Sequence, residues 1–255
     1  MSEQGTASLR LSVIIPSWND HANLVRSLPL LVRLDALHEV IVVDASPDPA
    51  TAQAVRAAGG IYLRATQPNR GVQMNLAAER ASGDVLIFHH ADSIMTAAHL
   101  AAIRFALRDP GVIGGAFYRK FDRRHPRLLW LETIGRFFTR HGGSFFGDQS
   151  VFVRRETFRS LGGFAPIPLM EDVEFSGRLR RAGKVAVLDP PLQSSDRRHH
   201  ERGAWRTSLQ NGAFILLYKC GFSPRHLHRW YYRAQFSPAN ESVLVAQPLE
   251  ELSRR

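Results

Sequence analysis

The chain has 255 residues, 44% hydrophobic and 22% charged, ordinary for a globular protein large enough for a full core. Its single cysteine, Cys220, excludes a disulfide framework and a multi-cysteine zinc site. The net charge of +10 suits an anionic partner, but no zinc-finger spacing, heptad array or aromatic-basic ribonucleoprotein motif accompanies it, so no nucleic-acid partner is expected.

Leu11 to Pro16 is an apolar strand closed by proline, and Ser17-Trp18-Asn19-Asp20 follows as a loop and helix cap. Leu24, Leu28 and Leu31 then recur at helical spacing, with Pro29 predicting a kink. Glu39 to Asp44 is a second strand ending in an acid, and after a turn an alanine-rich helix runs to Gly59-Gly60. Ile61 to Leu63 predicts a third strand, and Asn69-Arg70-Gly71 opens a helix to Ala81. Val85 to Phe88 is a fourth, running straight into His89-His90-Ala91-Asp92. Strands alternating with helices predict an α/β fold built on a mainly parallel, doubly wound sheet flanked by helices. Ligands of such sheets lie beyond the carboxyl ends of the strands, which is where His90 and Asp92 stand. The first strand-to-helix turn has no G-x-G-x-x-G, which argues against a dehydrogenase-type dinucleotide site.

Beyond Asp92 the pattern loosens. A helix is predicted from Thr96 to Leu107, a strand at Gly114 to Tyr118, and an aromatic-rich helix from Leu128 to Phe138. Val151 to Val153 reads as a strand, Glu156 to Leu161 as a helix, and Gly162-Gly163-Phe164 as a break before the helix Glu171 to Ala182. The helix from Trp205 to Cys220 is apolar nearly all round between Ala213 and Tyr218, as in a segment that is buried or meets a membrane surface. Cys220 itself reads as an inert buried thiol. After Gly221 the chain turns polar, and from Phe236 it reads as a loose tail. The expected organisation is a flexible N-terminus (1–10), one domain (11–221) and a partly disordered C-terminal extension (222–255). Met1 to Arg10 lacks an apolar signal core, and no run reaches the roughly 20 residues of a spanning helix. A cytoplasmic location is expected, with an anionic membrane surface at the inner face as a candidate partner.

On the helix from Glu171, Asp172, Phe175, Leu179 and Ala182 share one stripe, while Glu171, Glu174, Arg178 and Arg181 share another. Three acids in a first turn suit the helix dipole. That accounts for Glu171 and Glu174, with basic partners on the outside. It does not account for an aspartate in line with Phe175 and Leu179, so Asp172 is assigned to a pocket.

Ser12-Val13-Ile14-Ile15-Pro16, Val42-Val43-Asp44 with Asp48, Gly83-Asp84 with the strand to Asp92, Gly162-Gly163-Phe164 and Glu171-Asp172 together resemble, in order, the signatures of the family two glycosyltransferases, which have the GT-A fold. The likeness spans about residues 11 to 220. A closer similarity, to the bacterial radical-SAM/selenium-domain-associated transferase branch, lies in Gln73-Met74-Asn75, His90-Ala91-Asp92-Ser93, Gly147-Asp148-Gln149, Phe152-Val153-Arg154-Arg155 and Ile167-Pro168-Leu169-Met170-Glu171-Asp172.

The resemblance implies a nucleotide-diphosphate sugar donor in a half of about 11–110 and an acceptor in a half of about 111–221. The nucleoside would lie near Pro16, Ser17, Asn19 and Asp44, although Asp44 could equally hold an Asx-turn with Ser46. Arg70 at a helix start suits a phosphate or the base, with Asn75 on the same helix, and Arg197 and Arg198 could clamp the diphosphate. The family's metal motif is two aspartates flanking one residue. Here Asp92 holds the second position and His90 the first, a departure that favours manganese over magnesium. His199 and His200 could complete the site, and His90 could instead be a hydrogen-bonding wall residue. A divalent ion, Mn2+ or Mg2+, would bridge the diphosphate oxygens. Asp172 would be the general base of an inverting transfer, with Gly147, Asp148, Gln149 and Glu171 shaping the acceptor side. The rival readings are a nucleotidyltransferase, whose glycine-rich basic loop is absent after the first strand, and a non-catalytic protein that binds anionic lipid or nucleic acid.

Overall fold

The computed structural model describes residues 9–121, 126–194 and 204–235. β1 (Leu11–Ser17) is buried along its whole length and pairs in parallel with β2 (Glu39–Asp44) and β4 (Val85–Phe88). β3 (Ile61–Arg64) extends β2, also in parallel. These strands are joined by α1 (His21–Val32), α2 (Ala50–Ala57) and α3 (Arg70–Arg80), and α1 runs through Pro29.

Side-chain alternation explains why this sheet needs helices on both faces. Val13, Ile15, Val42 and Ile87 pack on one side against Leu24, Leu28 and Leu31 of α1 and Val55 of α2. Ile14, Ile41, Val43 and Leu86 pack on the other against Met74, Ala77 and Ala78 of α3. In strands buried on both sides the polar residues fall at the ends, Ser12 and Glu39 at one end and the rest at the carboxyl end. That puts Ser17, Asp44 and His89-His90 along one edge.

The second half closes around this edge. After β5 (Ser93–Ile94) come α4 (Ala97–Ala106), β6 (Val112–Phe121), α5 (Pro126–Arg140), β7 (Val151–Arg154) and α6 (Arg155–Ser160). Then follow α7 (Glu171–Ala182), β8 (Lys184–Ser194), and two helices labelled α8 (Ala204–Lys219) and α9 (Pro224–Gln235). The sheet order is β3-β2-β1-β4-β7-β6-β8-β5. β7 runs antiparallel to β4 and begins opposite Phe88, so the 3-10 turn Gly147–Gln149 just before it arrives at the same edge. Among the described residues no helix is long and apolar enough to cross a membrane.

Two elements have no counterpart in the sequence expectation. β8 contains Pro190-Pro191, a pair that reads as a turn because proline gives no donor to a ladder. The strand absorbs it at a register shift, Phe117 pairing with Leu188 and Arg119 with Leu192. α9 lies within the polar extension after Gly221, and Leu227, four residues before Tyr231, is fully buried. Cys220, expected to be buried, is exposed. The segment from residue 236, expected to be loose, and most of the N-terminal ten residues lie outside the described residues.

Five half-buried arginines are bonded to the backbone. Arg104 donates to Leu9 and Ala36, Arg154 to Leu107 and Val112, Arg155 to Ala81, Arg178 to Leu161 and Gly163, and Arg180 to Thr139, all through backbone carbonyls. These guanidinium groups satisfy loop ends rather than ligands. In β6, a Cβ on Gly115 would sit 1.9 Å from the carbonyl oxygen of Ala186 on β8. Gly115→Ala is therefore expected to destabilise by about 3 kcal/mol, the upper end for overpacking, read from urea unfolding. A change below about 0.5 kcal/mol would mean β8 can move aside.

Candidate active site

The edge holds a cleft lined by Arg70, Met74, Phe88, His90, Gly147, Val151, Phe164, Glu171 and Asp172. Each polar member is delivered by a terminus. Arg70 is the first residue of α3, whose cap Asn69 accepts a 3.1 Å bond from Val72 N–H. His90 follows β4 in a turn closed by Ser93 N–H on the His90 carbonyl at 3.1 Å. Glu171 and Asp172 open α7, and Met170 before them is left-handed (φ 71°).

That turn corrects the expectation for Glu171. It was placed on the outer stripe of the helix, yet it is 4% exposed and its carboxylate faces Arg70 Nε at 3.8 Å. A helical wheel carries no information on how the chain enters the helix, and here entry through Met170 turns the first residue inward. Glu174 behaves as expected, accepting from Arg178 one turn on.

Asp172 Oδ2 accepts from Gly147 N–H at 2.9 Å and Oδ1 from Val173 N–H at 2.7 Å. Desolvation, and then the charge of Glu171, push its pKa up to about 6, against the opposing pull of Arg70 and the two N–H bonds. The guanidinium of Arg70 also contacts the ring of His90 through Nη2. Two carboxylates, a guanidinium and an imidazole thus converge on one cleft.

The residues expected on the donor side sit along the same edge, beyond the cleft lining. Pro16 and Ser17 are buried at the end of β1, and Asn19 is exposed, left-handed (φ 55°) and donates its N–H to Ser46 Oγ at 2.7 Å. Asp44 does form the Asx-turn, Oδ1 accepting from Ser46 N–H at 3.2 Å and also from Ser46 Oγ at 2.6 Å. Its other oxygen, Oδ2, and Ser17 Oγ are buried with no hydrogen-bond partner among the described residues. Such orphaned atoms at a strand edge suit the hydroxyl or base edge of a ligand. Gln73, given no role of its own within the Gln73-Met74-Asn75 likeness, donates to the carbonyls of Ser17 and Val43 at 2.8 Å each and fixes the ends of β1 and β2. Its place three residues after Arg70, on one helical face, was the available signal.

Other sequence candidates take structural places. Asn75 is occupied by Phe164, accepting from its N–H and donating to its carbonyl at 2.8 Å each. Gln149 turns inward, bonding Phe146 N–H and Thr139 Oγ1. Asp148 pairs with Arg119 at 2.5 Å, but its Oδ1 is buried with no partner among the described residues. His89 points away from the cleft, buried between Ser150 Oγ (2.7 Å) and the Ser93 carbonyl (3.1 Å), and burial holds it neutral with a pKa of about 4. Arg197, Arg198, His199 and His200 lie outside the described residues.

Among the described residues there is no group of three or more side chains able to hold a metal ion. What the turn after β4 supplies is one half-buried carboxylate, Asp92, two residues beyond a His90 already engaged by Arg70. One carboxylate without a cage fits a hard ion completed by substrate phosphates, the usual mode for magnesium, better than a preassembled protein site.

Residues 12–162, more than half of the chain, match the family described as Glycosyl transferase family 2. The match carries Ser17, Asn19, Asp44, Arg70, His90 and Asp92 and ends before Glu171 and Asp172. No curated protein matches the chain. Among solved structures it is similar to the mannosyltransferase PcManGT from Pyrobaculum calidifontis in complex with GDP-Man and Mn2+, at 23% identity and TM-score 0.63, covering 89% of this chain and 70% of that one. It is also similar to glucosyl-3-phosphoglycerate synthase from Mycobacterium tuberculosis in complex with phosphoglyceric acid (21%, TM-score 0.58, 85% and 81%). A third is residues 1–349 of S. aureus TarS in complex with UDP-GlcNAc (17%, TM-score 0.60, 94% and 76%).

Proposed function

The chain belongs to glycosyl transferase family 2 and has the GT-A fold, and from that premise we propose that it moves a sugar from a nucleotide-diphosphate donor to an acceptor hydroxyl, with inversion. The observation that carries the reading is Asp172, a carboxylate at a helix start whose pKa of about 6 suits a base at neutral pH. The nucleotide sugars held by PcManGT and TarS support the donor class. The likeness of several segments to the radical-SAM/selenium-domain-associated branch belongs to the same reading.

In this scheme the nucleoside lies over Ser17, Asn19 and Asp44, where two buried oxygens lack partners among the described residues. Arg70 holds the diphosphate, with Arg197 and Arg198 as further candidates. The acceptor enters beside Gly147, Asp148, Gln149 and Glu171. Its hydroxyl proton passes to an oxygen of Asp172 as the acceptor oxygen bonds the anomeric carbon. The bond from that carbon to the diphosphate oxygen breaks on the opposite face, in a single displacement. The diphosphate leaves with the electron pair, and Arg70 meets the developing charge. A divalent ion, when bound, would be held by Asp92, with His90, His199 and His200 as candidate partners, and would neutralise the same oxygens.

Purified protein is mixed with uridine and guanosine diphosphates and their sugars, with and without manganese, and followed by thermal shift and by nucleotide release. Stabilisation by a nucleotide diphosphate with metal present supports the transferase. No shift with any nucleotide removes it and favours a binding protein. Asp92→Ala is expected to erase the metal dependence of diphosphate binding while leaving the metal-free affinity unchanged. A metal dependence that survives moves the ion elsewhere.

A further inference from the structure

α8 and α9 form a helical hairpin with two unlike sides. Its inner side is a small core in which Phe214 and Leu227 are buried against Met170 and Val173, and Phe214 meets Tyr231 edge-on at 5.5 Å. Its outer side is apolar and open. Ala213, Leu216 and Cys220 follow one another at spacings of three and four and are all exposed, Leu216 at 64%. The stripe leads to Phe222 in the turn (44% exposed), whose ring lies 6.4 Å from that of Trp230 on α9 (48% exposed). Lys219, Arg225 and Arg229 are exposed on the same hairpin. α5 packs against α8 and adds Phe137 and Phe138, at 58% and 61% exposure, beside exposed Arg136 and Arg140.

We infer that the outer side of the α8–α9 hairpin docks onto an anionic phospholipid bilayer. Leu, Phe and Trp side chains rimmed by Lys and Arg are the composition of a segment lying in the membrane interface, with aromatic rings at headgroup level. Charge decides between a bilayer and a second copy of the chain. A two-fold self-interface sets the same basic residues against each other, in a chain already at +10, whereas anionic headgroups complement them. The apolar run Ala213 to Tyr218, which as sequence read as buried or membrane-touching all round, is divided: Phe214 faces the core and Leu216 faces out. The inner side of the hairpin rests on Met170 and Val173, which flank Glu171 and Asp172, so docking carries the cleft to the membrane surface.

The full chain is sedimented with vesicles of phosphatidylcholine alone and of phosphatidylcholine mixed with phosphatidylglycerol, at low and high salt. Binding to the mixed vesicles, weakened by salt and by omission of the anionic lipid, is expected. Leu216→Gln/Phe222→Gln/Trp230→Gln together should lower partitioning by about tenfold or more. Lys219→Gln/Arg225→Gln/Arg229→Gln should remove the preference for anionic vesicles. Circular dichroism checks folding, and the single Phe222→Ser substitution repeats the test should the apolar triple variant fail to fold. Absence of vesicle binding by the unmutated chain overturns the inference, as does partitioning unchanged by both sets. So does a chain that ignores vesicles and sediments as a dimer broken by the apolar substitutions.

Discussion

Asp172→Asn is expected to leave nucleotide-diphosphate binding nearly unchanged and to lower sugar transfer by about 10²- to 10⁴-fold, the usual contribution of a general base. Asparagine keeps the shape of the side chain and cannot take the acceptor proton. In the unmutated protein the rate should rise with pH through an acidic limb near 6, because only ionised Asp172 is a base. Stability moves the opposite way. A carboxylic acid whose folded pKa lies above its ordinary 3.8 binds its proton more tightly in the folded state. Its contribution is therefore most favourable below about pH 4 and declines as pH rises through about 6. Once ionised it destabilises the fold by on the order of 2–3 kcal/mol. The asparagine escapes this, though one of its two positions no longer accepts from Gly147 or Val173 N–H, a loss of about 1 kcal/mol. At pH 8 the variant should melt a few degrees higher than the parent, and at pH 4 it should not. Surviving turnover removes Asp172 as base, and a variant less stable at pH 8 removes the raised pKa.

How much of this was legible in the sequence depends on where an element's environment is written. β1, β2 and β4 are short apolar runs that end in polar residues, so their burial, their parallel pairing and the ligand edge could all be read directly. β8 could not, because Pro190-Pro191 signals a turn unless the register shift opposite Phe117 is known. Asp172 was found because it interrupts an apolar stripe. The burial of Glu171 was not, since it depends on the left-handed Met170 rather than on helical spacing. The resemblance put Asn75 among the ligand-binding residues, but the amide bonds Phe164, a partner about ninety residues away that no local pattern reveals. Nor does net charge say which cations are free to meet a partner. Arginines such as Arg104 and Arg178 are bonded to distant carbonyls, and only the contacts distinguish them from Arg225 and Arg229 on the surface.

Replacing Arg70 tests the electrostatics of the cleft as a whole. It faces buried Glu171, contacts His90, and opposes the upward shift at Asp172, while its own side chain is 48% exposed toward the cleft mouth. Arg70→Ala should weaken nucleotide-diphosphate binding by about 10- to 100-fold, the effect of losing a charged hydrogen bond of 1.5–3 kcal/mol. It should also move the acidic limb of the rate to higher pH, because the cation that favours ionised Asp172 is gone. Stability should fall more at pH 8 than at pH 5, where a protonated Asp172 no longer repels Glu171. Exposure of Arg70 to solvent keeps that loss modest, since a half-exposed ion pair is screened. Arg70→Lys separates the two roles. A point charge should restore the position of the limb without restoring full affinity, because the guanidinium fork that matches phosphate oxygens is missing. An Arg70→Ala variant whose limb stays near pH 6 would uncouple Arg70 from Asp172, leaving it a donor-binding residue alone.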